Sequence, residues 1–85
     1  MKWSQAIFHF QQAIKINETY PPYYLELGKT YALMEKWEDA KSAFEKAAEL
    51  NCPSKYDRKW KRDAKNYLQL LSTRRYSDLK DAVEE

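Results

Sequence analysis

One short pattern occurs twice in this chain. Trp3, Ala6, Phe10, Ala13 and Asn17 reappear thirty-four positions later as Trp37, Ala40, Phe44, Ala47 and Asn51, and Ile16 falls on Leu50. All keep helical spacing. A fixed period of this length marks a stacked helical repeat, because each unit is too small to bury its apolar face alone and must lean on its neighbours. Tyr24 to Phe44 is the fullest unit, with partial copies on either side.

Apolar periodicity predicts helices over 2–17, 22–35, 37–50 and 55–71. In the first of them Trp3, Ala6, Ile7, Phe10, Ala13 and Ile14 form the inward stripe, and Phe8 lies nearly opposite. Leu79, Ala82 and Val83 support a short fifth helix. Pro21-Pro22 opens the second helix, where the missing N–H falls on a position that is unpaired anyway. Gly28 is the only glycine. Mid-helix it costs about 1 kcal/mol relative to alanine, so a close approach of the helix carrying Ala40 is expected there. The turn at Glu35 and Lys36 lacks a glycine. Tyr24, Gly28 and Tyr31 recur at Trp60, Ala64 and Tyr67, thirty-six positions on, so the loop Asn51 to Ser54 holds two extra residues. Ser54-x-x-Asp57 has the form of a capping box.

The spacing Tyr24-x2-Leu27-Gly28-x2-Tyr31, followed by Ala40-x3-Phe44, Ala47 and Pro53, resembles the tetratricopeptide repeat (TPR) family. That resemblance implies an all-α, antiparallel helix-turn-helix solenoid with four main helices and a short C-terminal one. The whole of 1–85 is then a single domain. Residues 2–17 are the second helix of a partial repeat, 21–54 a full repeat, and 55–85 a degenerate terminal repeat or capping segment. A second, weaker likeness is to the regulator-of-microtubule-dynamics family, itself built of TPR-like helices. It rests on LGKTY, then W-x2-A, then a charged helix ending in Leu70-Leu71.

Eighty-five residues bury a modest core, and stacked repeats of this kind need about three units to close one. The chain is therefore expected to be part of a longer array or to associate with another copy, for which Phe8 is the candidate contact. Fifteen basic and thirteen acidic residues leave a net charge of +2, too little for bulk polyanion binding. Cys52 is the single cysteine, which fits a reducing compartment. The apolar run Ala6 to Phe8 is too short for a signal core or a membrane span. A soluble, cytoplasmic protein with no membrane contact is the expectation.

In the TPR family the first helices of successive repeats line a concave groove that receives a peptide. Carried over, the resemblance places Leu25, Lys29, Ala32 and Leu33 on one wall, and Arg58, Lys61, Arg62, Lys65 and Gln69 on the other. Lys55 to Lys65 holds six basic and two acidic residues, a local +4. Basic side chains at helical spacing attract carboxylates, and arginine binds them bidentately. An interaction module for an acidic segment or a peptide C-terminus follows. A subclass of the family clamps chaperone C-termini; Arg58 and Arg62 match its basic pair, but Glu26 stands where an asparagine is needed.

Other readings compete. The basic stripe is equally what a solvated helix face looks like, in which case the chain is a structural piece of a larger array or homo-oligomer. The acidic end, Asp78 to Glu85, is able to fold back on Arg58 and Lys65. The likeness to the regulator-of-microtubule-dynamics family implies acidic tubulin tails as partner. Nucleic acid is disfavoured, because Tyr56 and Trp60 fall on the core stripe and leave no stacking platform. One histidine, one cysteine and one glycine, with no metal-binding or phosphate-cradling motif, argue against an enzyme and against a cofactor.

Overall fold

A computed structural model describes residues 2–50 and 55–84. They form five helices: α1 (Lys2–Ile16), α2 (Pro21–Leu33), α3 (Trp37–Glu49), α4 (Asp57–Ser72) and α5 (Tyr76–Glu84). The protein is all-α, and the described residues contain no strand. No helix among them is long and apolar enough to cross a membrane. The capping role expected of Ser54 lies outside the described residues; α4 starts at Asp57 without a side-chain cap.

α2 is the central rod, packed against each of the other four helices. Its sequence suits that place. Pro21, Leu25, Leu27, Gly28, Thr30 and Ala32 are all buried, and at about 100° per residue they reach round most of the helix. The buried Thr30 hydroxyl donates to the Glu26 carbonyl at 3.0 Å, so its polar atom is satisfied within the helix. The only charged side chains of α2, Glu26 and Lys29, pair with each other at 3.2 Å.

α3 crosses α2 at Gly28. A Cβ placed on Gly28 would lie 2.6 Å from Phe44 Cε1 and 2.7 Å from Cδ1. The close approach expected of the helix carrying Ala40 is thus made, through Phe44 one turn further along it. The Phe44 ring is fully buried and rests against Tyr67 of α4, centroids 5.0 Å apart. One ring therefore joins α2, α3 and α4.

Two turns share one geometry. After α2, Glu35 has φ 60°; its N–H donates to the Ala32 carbonyl at 3.0 Å, and the Lys36 N–H to Tyr31 at 2.9 Å. After α4, Arg74 has φ 57°, with matching bonds from Arg74 to Leu71 at 3.1 Å and from Arg75 to Leu70 at 2.9 Å. Both are Schellman closures, built on a glutamate and an arginine where glycine is the usual residue. The next helices then start at equivalent points, and their first residues, Trp37 and Tyr76, stack at 4.4 Å and 11°.

The two hairpins nevertheless differ. α2 has 13 residues and α4 has 16. Three extra residues carry the exit from α4 about 4.5 Å further along and turn it by about 60°. α5 leaves in that direction and settles against α2 and α4. Leu79 and Val83 enter one buried cluster with Leu25, Ala32, Ala64 and Leu71.

Among the described helices α1 packs against α2 alone. Its copies of the buried α3 residues Ala40, Phe44 and Ala47, namely Ala6, Phe10 and Ala13, are only half-buried. The difference is positional: among the described helices α3 lies between α2 and α4, whereas α1 has a neighbour on one side. Trp3, expected inward, is 40% exposed, and Ile16 is 88% exposed although it aligns with Leu50.

Gly28→Ala should destabilise the protein by about 1–3 kcal/mol through overpacking against Phe44, despite alanine's gain of about 1 kcal/mol in helix propensity. Urea denaturation measures this, and adding Phe44→Leu should recover part of the loss. At the turns, Glu35→Gly and Arg74→Gly should each stabilise by about 0.5–1 kcal/mol, since glycine adopts positive φ without strain. An unchanged or lower urea midpoint would contradict that account of the turns.

Candidate functional site

The basic residues of α4 gather on one face of the helix. Arg58, Arg62 and Lys65 recur at four- and three-residue spacing and span about 10 Å along the axis. All three are exposed, and none makes an ion pair among the described residues. With Asp57, Lys61 and Asn66 they line a shallow open cleft of about 590 Å³. Lys61 is half-buried and bonded to Asp57 at 3.2 Å, one turn before it.

The two acids of this segment are both engaged by lysines other than Lys65. Asp57 holds Lys61, and Asp63 lies near enough to Lys29 to bear on its protonation. The positive charge of Arg58, Arg62 and Lys65 is therefore left facing outward. At about 100° per residue these three stand opposite Trp60 and Tyr67, which face α2: Trp60 meets Tyr20 edge-on at 5.6 Å, and the Lys29 ammonium lies 5.9 Å from the Tyr67 ring centre.

The α2 residues expected on the other wall of a groove are placed differently. Leu25 is 5% exposed and belongs to the core, so it presents no surface to a ligand. Ala32 is fully buried. Leu33 is half-buried against the same cluster. Lys29 is half-buried, bonded to Glu26. Burial alone would lower its pKa, but the carboxylate of Glu26, then Tyr67 and Asp63, outweigh this and raise it. Burial first, then the charges of Asp63 and Glu26 against the opposing Lys29, raises Tyr67. Lys29 is thus a structural cation of the α2–α4 contact.

The structure brings Arg58, Lys61, Arg62 and Lys65 together but does not bring Leu25, Lys29 and Leu33 to them. The side of α2 and α4 where a groove was expected is taken by α5. The acidic end does fold back, although not onto Arg58 and Lys65: Asp78 is held by Arg75 at 2.7 Å, and Lys80 approaches Glu35 at 4.0 Å. The fifth helix itself was legible: Leu79 and Val83, expected to support it, are the residues it buries, and Ala82 beside them is half-buried. Asn66, the uncharged residue of the cleft, carried no signal in the sequence.

Phe8, the candidate self-association residue, is 59% exposed and makes one edge contact with His9 at 6.1 Å. Tyr56 is exposed and Trp60 half-buried; their rings lie together, centroids 6.1 Å apart and tilted by 38°, on the side of α4 away from Arg58, Arg62 and Lys65. Among the described residues no three His, Cys, Asp or Glu side chains converge as a metal site requires.

Residues 3–72 match the family described as Regulator of microtubule dynamics protein 1-3. No curated protein and no solved structure matches the chain. Of the two sequence resemblances, the weaker is the one the family comparison returns, and the TPR family is not matched. The matched segment runs from the second residue of α1 to the last of α4 and carries every residue of the basic face. The chain belongs to the regulator of microtubule dynamics protein 1-3 family.

Proposed function

We propose that this chain is a protein-interaction module whose basic α4 face receives an acidic segment, and that the segment is the acidic tail of tubulin. One observation carries the reading: Arg58, Arg62 and Lys65 are exposed on one side of a rigid helix, without an ion-pair partner among the described residues. A helix presents such charges in fixed register, so little side-chain order has to be gained on binding. Two arginines one turn apart suit a run of carboxylates, each accepting paired N–H donors. The family description names microtubule dynamics, and an acidic tail on the microtubule surface is the carboxylate source that fits both.

The TPR-like reading of the hairpins supports the same function class. Two helix-turn-helix units with matching Schellman turns are compatible with a stacked-repeat scaffold. In this reading ligand recognition lies on the outer side of α4 rather than in a trough between α2 and α4, because α5 covers that side. The copies of the repeat stripe that stay half-exposed on α1 fit a module that works within a larger assembly.

In a microtubule co-sedimentation assay, Arg58→Glu/Arg62→Glu/Lys65→Glu should weaken binding at least about tenfold, about 1.4 kcal/mol. Its helical content and urea midpoint should stay close to wild type. Proteolytic removal of the tubulin tails should weaken wild-type binding to the same extent, and raising salt should weaken it steadily. Equal sedimentation of wild type and variant would overturn the proposal.

A further inference from the structure

α5 occupies a seat that a partner helix would fit. It is nine residues long, shorter than a helix needs to persist in water without tertiary support. Its hold on the body comes from three side chains on one stripe. Leu79 and Val83 are buried in the shared cluster, and Tyr76 stacks on Trp37. Its ion pair to the body, Lys80 to Glu35, is long at 4.0 Å and exposed on both sides. Arg75–Asp78 lies within its own first turn. A cavity of about 250 Å³ remains where α3, α4 and α5 meet, lined in part by Trp37, Lys41, Leu68, Leu71 and Tyr76. The link from α4 passes through Arg74 at positive φ, a conformation that a non-glycine residue adopts at a cost. The family match ends at Ser72, before this helix begins.

We propose that α5 is a displaceable plug in a helix-binding seat formed by α2 and α4. The occupant that replaces it is an amphipathic helix of another protein. That helix carries an aromatic residue, a leucine and a valine-sized residue at i, i+3 and i+7, with acidic residues on its outer face as α5 has Asp78, Asp81 and Glu84. The α5 helix itself is the template: it shows which shape and spacing the seat accepts. Apolar anchors at such intervals are the general form of helix-in-groove recognition. The seat lies across α4 from the basic face, so the two sites are separate. Opening α5 is the kind of local event that occurs without global unfolding where an element is short and few side chains hold it.

Two measurements test this. Hydrogen exchange of the wild-type chain should show the amides of Leu79 to Glu84 exchanging at least about 100-fold faster than those around Gly28 and Phe44. Equal protection would make α5 an integral part of the core and end the proposal. A capped, fluorescent peptide of residues 75–85 should bind Leu79→Ser/Val83→Ser protein at least about tenfold more tightly than wild type. The same peptide bearing both serines should not bind. Binding should persist when Arg58, Arg62 and Lys65 are also reversed to glutamate; its loss there would assign the peptide to the basic face and overturn the seat. Equal binding to wild type and variant, no binding to either, or loss of the variant's cooperative melt would overturn it as well.

Discussion

Phe44 lies on Gly28, and the three-helix core depends on that contact. The ring fills the space that a side chain on α2 would take, and Tyr67 of α4 rests against it. Losing a buried phenylalanine of this kind costs about 3–5 kcal/mol, a large share of the stability of a chain this small. The glycine's propensity cost of about 1 kcal/mol is offset by letting a whole aromatic ring approach the α2 backbone. Ala40 and Ala47, fully buried on the same stripe, keep the rest of α3 near enough for the ring to reach.

From this centre the two sides of α4 acquire different characters. Trp60, Ala64, Tyr67 and Leu71 turn inward and are held by aromatic and aliphatic contacts. Arg58, Arg62 and Lys65 are then obliged to point outward, since a helix with one apolar stripe has its charges opposite. The acids that would neutralise them are used at the margins, Asp57 by Lys61 and Asp63 near Lys29. The outward charge is a consequence of how the core is built and is rigid for the same reason. Desolvation contributes little at so exposed a site, so what it offers a ligand is register and direction.

Much of the helical framework was legible in the sequence. Pro21, the stripes on α3 and α4, and the repeated Trp-x2-Ala-x3-Phe pattern placed four helices to within about two residues, the usual ambiguity of helix ends. The basic face was equally legible, because three- and four-residue spacing on a helix leaves no choice of side. Membership of the microtubule-dynamics family was visible in LGKTY and W-x2-A, although those residues serve the core first and so resemble the TPR pattern more strongly. The groove was not legible. Leu25 and Ala32 look like surface-lining positions by analogy, yet both are buried in one cluster with Leu79 and Val83 of α5, and no local rule reports where a helix three elements along will dock.

The amino-acid sequence by itself determined the helices, the faces that α3 and α4 bury and the placement of charge on α4, because those follow from a period of 3.6 residues and the chemistry of each side chain. It also required a close contact of Gly28 with the helix carrying Ala40, without naming the residue that makes it. Tertiary structure decided that the partner is Phe44 and that Glu35 and Arg74 take left-handed turns without glycine. It also decided that three additional residues in α4 send α5 over the face of α2. These outcomes depend on distances between segments remote in sequence, and only packing selects among the arrangements that local propensity allows.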